Sequence, residues 1–190
     1  MSSADAVTAS RLVLAPLFFA VFFLPGIPPA VAVPLLWLLF ILIEVSDLVD
    51  GALARKSGTV SSFGKLFDPF ADVVARLTYF LCFALGGLMP AWVLLLILYR
   101  EFGIMFLRQL LSTRGIAMGA RPGGKLKAVI YMTAGAASLL LITISSFGFL
   151  DSVIPALRIL VMVLYVASAL LSVLSFIDYL RQFRILYGKV

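Results

Sequence analysis

The chain has no histidine and only one cysteine among its 190 residues. Without histidine, Ser-His-Asp triads, Cys-His pairs and imidazole zinc sites are excluded. Cys82 lies inside an apolar run, where a small buried hydrophobic residue is expected, and one cysteine provides neither a disulfide framework nor a cysteine metal cluster. Any catalysis by this chain must therefore use carboxylates, arginine, lysine or hydroxyl groups.

Charged residues are also scarce, since they make up 13% of the chain whereas 63% of the residues are hydrophobic. This composition lies outside the range of soluble globular proteins and is typical of an integral membrane protein. The length suits a single domain, residues 1–190, with no internal repeat or linker. The net charge of +6 comes from basic residues scattered among apolar segments, without the interleaved aromatic residues of a base-stacking surface. We therefore expect contact with membrane lipids and no binding of nucleic acid.

Six apolar segments are long enough to cross a membrane as helices. They are Thr8–Leu24, Pro34–Ala52, Phe67–Leu88, Ala91–Leu111, Leu126–Phe147 and Pro155–Phe183. The first segment lacks a convincing signal-peptide cleavage site, so we expect it to be retained. The predicted fold is an all-α integral membrane protein with six transmembrane helices in one bundle.

The breaks between these segments alternate in charge. Residues 25–29, 86–90 and 148–152 contain no lysine or arginine. The other breaks, the adjoining ends of the apolar segments and the C-terminal segment contain Arg55, Lys56, Lys65, Arg114, Arg121, Lys125, Lys127, Arg181, Arg184 and Lys189. By the positive-inside rule these basic segments and both termini face the cytoplasm, which agrees with an even number of spans.

Four aspartates stand between the second and third apolar segments. Asp47 and Asp50 are spaced i, i+3 at the end of the second predicted helix, and Asp68 and Asp72 are spaced i, i+4 at the start of the third. Each pair therefore lies on one face of its helix, at a similar depth. Acids inside or beside a membrane are costly enough to indicate a function.

Two explanations fit such an acidic cluster. Carboxylates that converge in a poorly hydrated site either take up protons or are neutralised by cations. Oxygen-rich sites without histidine suit Mg²⁺ or Mn²⁺, and two such ions about 4 Å apart would form a clamp for phosphoryl chemistry. The alternative is a protein of a different functional class, a cation transporter. A transporter would spread its acids across the membrane depth instead of gathering them at one face.

The residues between the acids suit a phosphate-containing ligand. Gly51 and Ala54 keep the helix surface small beside the acids, so that a bulky anion can approach the backbone. Arg55 offers a bidentate phosphate partner, and Ser57 offers a hydroxyl donor. Gly64 permits the turn that carries the chain back towards the second pair of acids.

These residues resemble the CDP-alcohol phosphatidyltransferase family. The chain meets the family signature D-x2-D-G-x2-A-R-x8-G-x3-D-x3-D at all eight fixed positions, from Asp47 to Asp72. The resemblance implies transfer of a phosphatidyl group from CDP-diacylglycerol, or of a phospho-amino-alcohol from a related CDP compound, to a hydroxyl, with release of CMP. It also implies a multi-pass protein of the bacterial inner membrane whose active site faces the cytoplasm, and a homodimer is expected.

The resemblance also assigns roles to the matching residues. The ligands of two Mg²⁺ or Mn²⁺ ions would be Asp47, Asp50, Asp68 and Asp72. Asp72 would also be the general base. The CDP-binding set would be Asp47, Gly51, Ala54, Arg55, Ser57, Gly64 and Asp68. Thr8 and Arg11 match, more weakly, a polar segment near the nucleotide.

The fourth helix and the segment after it carry a basic set that suits a second phosphate. This set is Arg100, Arg108, Lys125 and Lys127. The arrangement resembles the phosphatidylglycerophosphate synthases of the family, whose acceptor is sn-glycerol 3-phosphate. Inositol phosphate would also use a basic pocket, whereas serine or choline would need less positive charge.

Three further charged residues have open roles. We expect Glu101 to pair with a neighbouring arginine. Glu44 either forms hydrogen bonds within the bundle or supports a metal ligand. Arg76, one turn beyond Asp72, either balances the acids or contacts lipid headgroups.

Overall fold

In the computed structural model of this chain, residues 3–57, 64–116, 118 and 122–188 are described, with side chains for 6–46, 67–116, 118 and 126–188. Within these ranges the chain forms six α-helices and no β-strand. The helices are α1 (Ser3–Phe23), α2 (Pro29–Ser57), α3 (Gly64–Leu85), α4 (Ala91–Ser112), α5 (Pro122–Phe147) and α6 (Ile154–Tyr187). A 3-10 turn, Asp151–Val153, leads directly into α6. The all-helical prediction is confirmed.

The third helix ends earlier than the apolar pattern predicts. It stops at Leu85 because Gly87 adopts a left-handed conformation, with φ of 76°. The amide of Leu88 then donates to the carbonyl oxygen of Phe83 at 2.9 Å, which closes the helix with a Schellman motif. Hydrophobicity alone misplaces this end, since Leu88 is apolar but lies beyond the helix.

The second helix is longer than its apolar segment. It spans Pro29–Ser57, whereas the apolar segment is Pro34–Ala52, and so its helical backbone also carries Arg55 and Ser57. Helices α1 and α5 also begin before their predicted segments, and α6 ends beyond its own. Apolar runs mark the part of a helix that is buried in a core or in lipid, and not the point where its hydrogen bonding ends.

The helices pack in two groups of three. In one group α1 packs against α2 and α3, and in the other α6 packs against α4 and α5. The groups meet where α2 contacts α5 and where α3 contacts α4 and α5. The charged residues of α3 and α4 are therefore brought to the junction of the two groups.

Four helices are long and apolar enough to cross a membrane. They are α1 over Ala6–Phe23, α2 over Pro29–Ser46, α5 over Leu126–Phe147, and α6 with its preceding turn over Asp151–Tyr187. Within the described residues α3 and α4 fall short of this condition, because each carries three charged residues in its apolar part. Many large apolar side chains, among them Val13, Leu95 and Ile159, are exposed. So much exposed apolar surface fits a membrane protein.

Aromatic rings fill the core between the two groups. Tyr79 and Phe80 of α3 are fully buried, and Phe40 of α2 packs edge-on against Tyr79 at 5.3 Å between ring centroids. Gly135 of α5 lies directly against Phe40, since a Cβ there would come within 2.7 Å of the Phe40 ring. Trp37 packs against the same ring at 6.3 Å, which leaves little room for the ring to move.

We expect Gly135→Ala to destabilise the protein by about 1–3 kcal/mol, because the added methyl group overlaps a ring that its neighbours hold in place. Helix propensity acts in the opposite direction, since alanine favours a helix over glycine by about 1 kcal/mol. The measurement is the free energy of unfolding in mixed detergent micelles. Adding Phe40→Leu should recover part of the loss, and a stabilised Gly135→Ala variant would contradict the close packing.

Candidate functional site

One face of α3 presents two acids, an arginine and a tyrosine. Asp68, Asp72, Arg76 and Tyr79 follow helical spacing, so their side chains lie in one row. The hydroxyl of Thr8, on α1, donates to Asp68 Oδ1 at 2.7 Å. The helix α1 thus contacts the first acid of the row through a fully buried side chain.

Asp72 is held by two arginines. Arg76 reaches its two carboxylate oxygens, with Nη2 at 2.9 Å from Oδ1 and Nη1 at 3.2 Å from Oδ2. Arg11, from α1, places Nη1 at 3.9 Å from Oδ1. The Asp72 side chain is 28% exposed, whereas that of Arg76 is 9% exposed, so the carboxylate remains accessible while the arginine fixes its orientation.

Glu44 connects α2 to this row. Its Oε1 accepts a hydrogen bond from the Tyr79 hydroxyl at 3.0 Å, and its Oε2 lies 3.9 Å from Arg76 Nη2. Of the two roles that the sequence left open for Glu44, hydrogen bonding within the bundle is observed. Arg76 balances the acids, which was one of its two predicted roles.

The second helix group carries a buried ionic cluster. Glu101 accepts from Arg100 Nη1 at 2.6 Å through Oε2 and from Lys127 Nζ through Oε1. Ser175 of α6 accepts from Nε and Nη2 of Arg100 at 3.2 and 2.9 Å. The expected pairing of Glu101 with an arginine is confirmed, and one carboxylate serves both cations.

Arg108 lies two turns beyond Arg100 on α4. Its Nη2 donates to the hydroxyl of Tyr179 at 2.9 Å, and its guanidinium lies 5.4 Å from the centroid of that ring. The Nε of Arg108 is buried and has no hydrogen-bond partner within the described residues. Buried donors usually have a hydrogen-bond partner, and the Nε–H group of Arg108 is therefore available to donate to a ligand.

A narrow crevice joins the two clusters at the junction of α3, α4 and α5. Arg76 lines it from the acidic row, and Glu101 and Tyr131 line it from the ionic cluster. Apolar side chains of α3 and α4 form the rest of its wall. The acidic row and the ionic cluster therefore meet at one crevice, Arg76 on one side and Glu101 on the other.

Several predicted site residues lie where the backbone is described and the side chains are not. Asp47, Asp50, Gly51, Ala54, Arg55 and Ser57 lie in the helical part of α2, Gly64 begins α3, and Lys125 lies in α5. The structure places Asp68 and Asp72 one turn apart on one face of α3, and Arg100 and Lys127 at the carboxylate of Glu101. Among them no three acids converge, but the prediction concerns a set of four of which two fall outside the described side chains.

A comparison with protein families identifies the chain. The family model described as CDP-alcohol phosphatidyltransferase matches residues 1–173. The chain belongs to the CDP-alcohol phosphatidyltransferase family. The resemblance that the aspartate signature indicated is confirmed.

Relatives of this CDP-alcohol phosphatidyltransferase include three bacterial proteins. It is 46% identical over 147 residues to the CDP-diacylglycerol–glycerol-3-phosphate 3-phosphatidyltransferase of Treponema pallidum (strain Nichols), covering 77% of this chain and 68% of the relative. It is 32% identical over 145 residues to the Bacillus subtilis (strain 168) protein of the same name, covering 70% and 74%. A Mycobacterium tuberculosis (strain CDC 1551 / Oshkosh) protein named "Probable phosphatidylglycerophosphate synthase" is 32% identical over 179 residues, covering 94% and 80%.

Sequence reasoning missed the hydroxyl groups that hold the charges of this phosphatidyltransferase. They belong to Tyr79, which contacts Glu44, and to Ser175 and Tyr179, which contact Arg100 and Arg108. A signal for the α6 members was present, because Ser168, Ser172, Ser175 and Tyr179 recur at spacings of four, three and four in an otherwise apolar helix. Such a stripe predicts a polar contact with neighbouring helices.

Proposed function

We propose that this chain transfers the phosphatidyl group of CDP-diacylglycerol to sn-glycerol 3-phosphate and releases CMP. The names of its relatives support the two substrates. The observation that supports the proposal most directly is that the acidic row of α3 and the ionic cluster around Glu101 meet at one crevice. Asp72 remains accessible beside Arg76, which lines the crevice, and Glu101 lines it from the other cluster, where it pairs with Arg100 and Lys127.

Asp72 is the proposed general base. The acceptor hydroxyl oxygen attacks the phosphorus that bears the diacylglycerol, and its proton passes to the Asp72 carboxylate. The bond from that phosphorus to the bridging oxygen breaks, and CMP leaves with the electron pair. The contact of Arg76 with both carboxylate oxygens keeps Asp72 in one orientation while it accepts the proton.

The proposed metal ligands are Asp47, Asp50, Asp68 and Asp72, holding two Mg²⁺ or Mn²⁺ ions. Asp68 and Asp72 lie one turn apart on one face of α3, and both are only partly buried. Carboxylate oxygens in this arrangement fit a hard divalent cation. When bound, such ions neutralise pyrophosphate charge and stabilise the leaving oxygen. The side chains of Thr8 and Arg11 orient the two carboxylates from α1.

The nucleotide site is proposed along the end of α2 and the start of α3. Its residues are Asp47, Gly51, Ala54, Arg55, Ser57, Gly64 and Asp68. The helical backbone of α2 runs to Ser57, so Gly51, Ala54 and Arg55 share one face of that helix at spacings of three and four. Two small residues beside an arginine leave room for a phosphate at that face.

The acceptor phosphate is assigned to Arg100, Arg108, Lys125 and Lys127. Arg100 and Lys127 meet at Glu101, and Arg108 lies two turns away on the same helix as Arg100. Buried guanidinium groups recognise a phosphate through paired hydrogen bonds. A basic set of this kind favours glycerol 3-phosphate or inositol phosphate over serine or choline.

We also propose a membrane arrangement. All six helices cross the inner membrane of a bacterium as one domain, residues 1–190, with both termini and the active site at the cytoplasmic face. The exposed Arg114 and Arg184, near the ends of α4 and α6, support a cytoplasmic location of those ends. The exposed apolar faces provide a surface for a homodimer.

Purified protein is expected to release CMP from CDP-diacylglycerol when given sn-glycerol 3-phosphate and Mg²⁺ or Mn²⁺, and to stop when the metal is chelated. Radiolabelled glycerol 3-phosphate should appear in the lipid fraction. The matched assays contain inositol phosphate, serine or choline at the same concentration.

Faster transfer to one of those acceptors would move the protein to another branch of the family. Full turnover in excess chelator would refute the metal assignment. Release of CMP without label in lipid would show hydrolysis instead of transfer.

A further inference from the structure

Tyr179 stands between the two arginines of α4. Its hydroxyl accepts a hydrogen bond from Arg108 at 2.9 Å, and its ring centroid lies 5.4 Å from the guanidinium of Arg108 and 5.8 Å from that of Arg100. Both distances fall within the range of cation–π attraction. Tyr179 is 2% exposed, so these contacts are shielded from water.

Two successive turns of helix α6 contact the arginines of α4. Ser175 accepts two hydrogen bonds from Arg100, and one turn later Tyr179 contacts Arg108. The two arginines differ in their charge partners. Arg100 is paired with Glu101, whereas Arg108 has no carboxylate partner within the described side chains. Among the described side chains, its hydrogen bond and its cation–π contact are both with Tyr179.

A guanidinium without a carboxylate partner, held by a neutral hydroxyl and an aromatic face, keeps its positive charge available for an anion. A carboxylate in place of Tyr179 would orient Arg108 equally well but would compete with a phosphate for the same donors. A tyrosine fixes the side chain without neutralising it. This contrast separates Arg108 from Arg100 and Lys127, which share the charge of Glu101.

We propose that Tyr179 is a positioning residue, which holds Arg108 in the orientation that binds the phosphate of the acceptor. This inference rests on the proposed function for the identity of the acceptor. It makes α6 part of the acceptor site, although α6 carries no residue of the aspartate signature.

The test compares Tyr179→Phe with Tyr165→Phe. Both changes remove a buried, hydrogen-bonded tyrosine hydroxyl from α6, and the partner of Tyr165 is Ser138 at 2.6 Å. Tyr165 lies about four turns from Tyr179, away from the arginines of α4. We expect Tyr179→Phe to raise the KM for sn-glycerol 3-phosphate about tenfold, with kcat and the KM for CDP-diacylglycerol changed less than twofold. Tyr165→Phe should leave all three values unchanged.

A double-mutant cycle tests whether Tyr179 acts through Arg108. Arg108→Gln should raise the KM for the acceptor more than Tyr179→Phe does, and the double variant should match Arg108→Gln alone. A purely structural role would instead add a further loss in the double variant. Additive effects, or a Tyr179→Phe change confined to kcat, would overturn the proposal.

A binding measurement gives a result that does not depend on turnover. Inorganic phosphate should raise the melting temperature of the unmodified protein and of Tyr165→Phe, with a dissociation constant about tenfold weaker in Tyr179→Phe. If no acceptor supports CMP release but this difference is found, the proposed function fails and the role of Tyr179 stands. If transfer proceeds and neither KM nor phosphate binding changes in Tyr179→Phe, the role of Tyr179 is refuted alone.

Discussion

Replacing Asp72 with Asn is expected to reduce CMP release by about 10²–10⁴-fold, the usual contribution of a positioned general base. An amide of the same size keeps the packing but cannot take the proton of the acceptor hydroxyl. Arg76 would lose its ion pair with Asp72, although Glu44 remains 3.9 Å away. The measurement is the initial rate of CMP release at saturating substrates, together with the melting temperature of each variant.

Asp151→Asn is the matched control, because Asp151 is exposed in the turn before α6 and belongs to none of the clusters. Its rate should stay within twofold of the unmodified protein. If Asp72→Asn keeps more than a tenth of the activity while it remains folded, another group must accept the proton. A large drop in melting temperature would show that Asp72 matters mainly for stability.

The helical architecture could be predicted because apolar runs of about 20 residues have few other stable solutions. The end of α3 could not be placed from hydropathy, since Leu88 is as apolar as the helix before it. It is Gly87, with its left-handed backbone, that ends the helix. Glycines between an apolar helix and a proline, as at residues 86–90, are the better guide to such an end.

More of the acidic site than of the basic site could be predicted from the sequence. Spacing places Asp68 and Asp72 on one helical face, and both are found there with polar partners from α1. For the basic set, spacing says nothing of partners from distant helices. The contacts of Arg100 with Ser175 and of Arg108 with Tyr179 join residues more than 70 positions apart. Only the packing of α6 on α4 creates them.

The basic residues near the crevice are of two kinds, those with a carboxylate partner and those without one. Arg100 and Lys127 are each less than a tenth exposed and depend on Glu101, so they contribute to stability as well as to any ligand binding. Arg108 has no carboxylate partner within the described side chains. Substitutions in the first pair should therefore affect folding and affinity together, whereas those at Arg108 should affect affinity alone.

Replacing Glu101 with Gln is expected to lower the free energy of unfolding by about 3–5 kcal/mol. The loss follows because removing one member of a buried ionic cluster leaves the remaining charges uncompensated. Arg100 and Lys127 would then be two buried cations with only hydroxyl groups and an amide as partners. Unfolding of the protein in mixed micelles with increasing denaturing detergent measures the change.

A second substitution separates the charge effect from a packing effect, because glutamine keeps the shape of Glu101. Adding Lys127→Met removes one of the two uncompensated cations, so the double variant should recover about half of the loss, even though it carries more changes. Lys127→Met alone should lower the free energy of unfolding by less than Glu101→Gln does, since Glu101 keeps Arg100 as its partner. If the double variant is less stable than Glu101→Gln, repulsion between the two cations does not govern the cluster, and Lys127 stabilises the bundle through its packing on Tyr131.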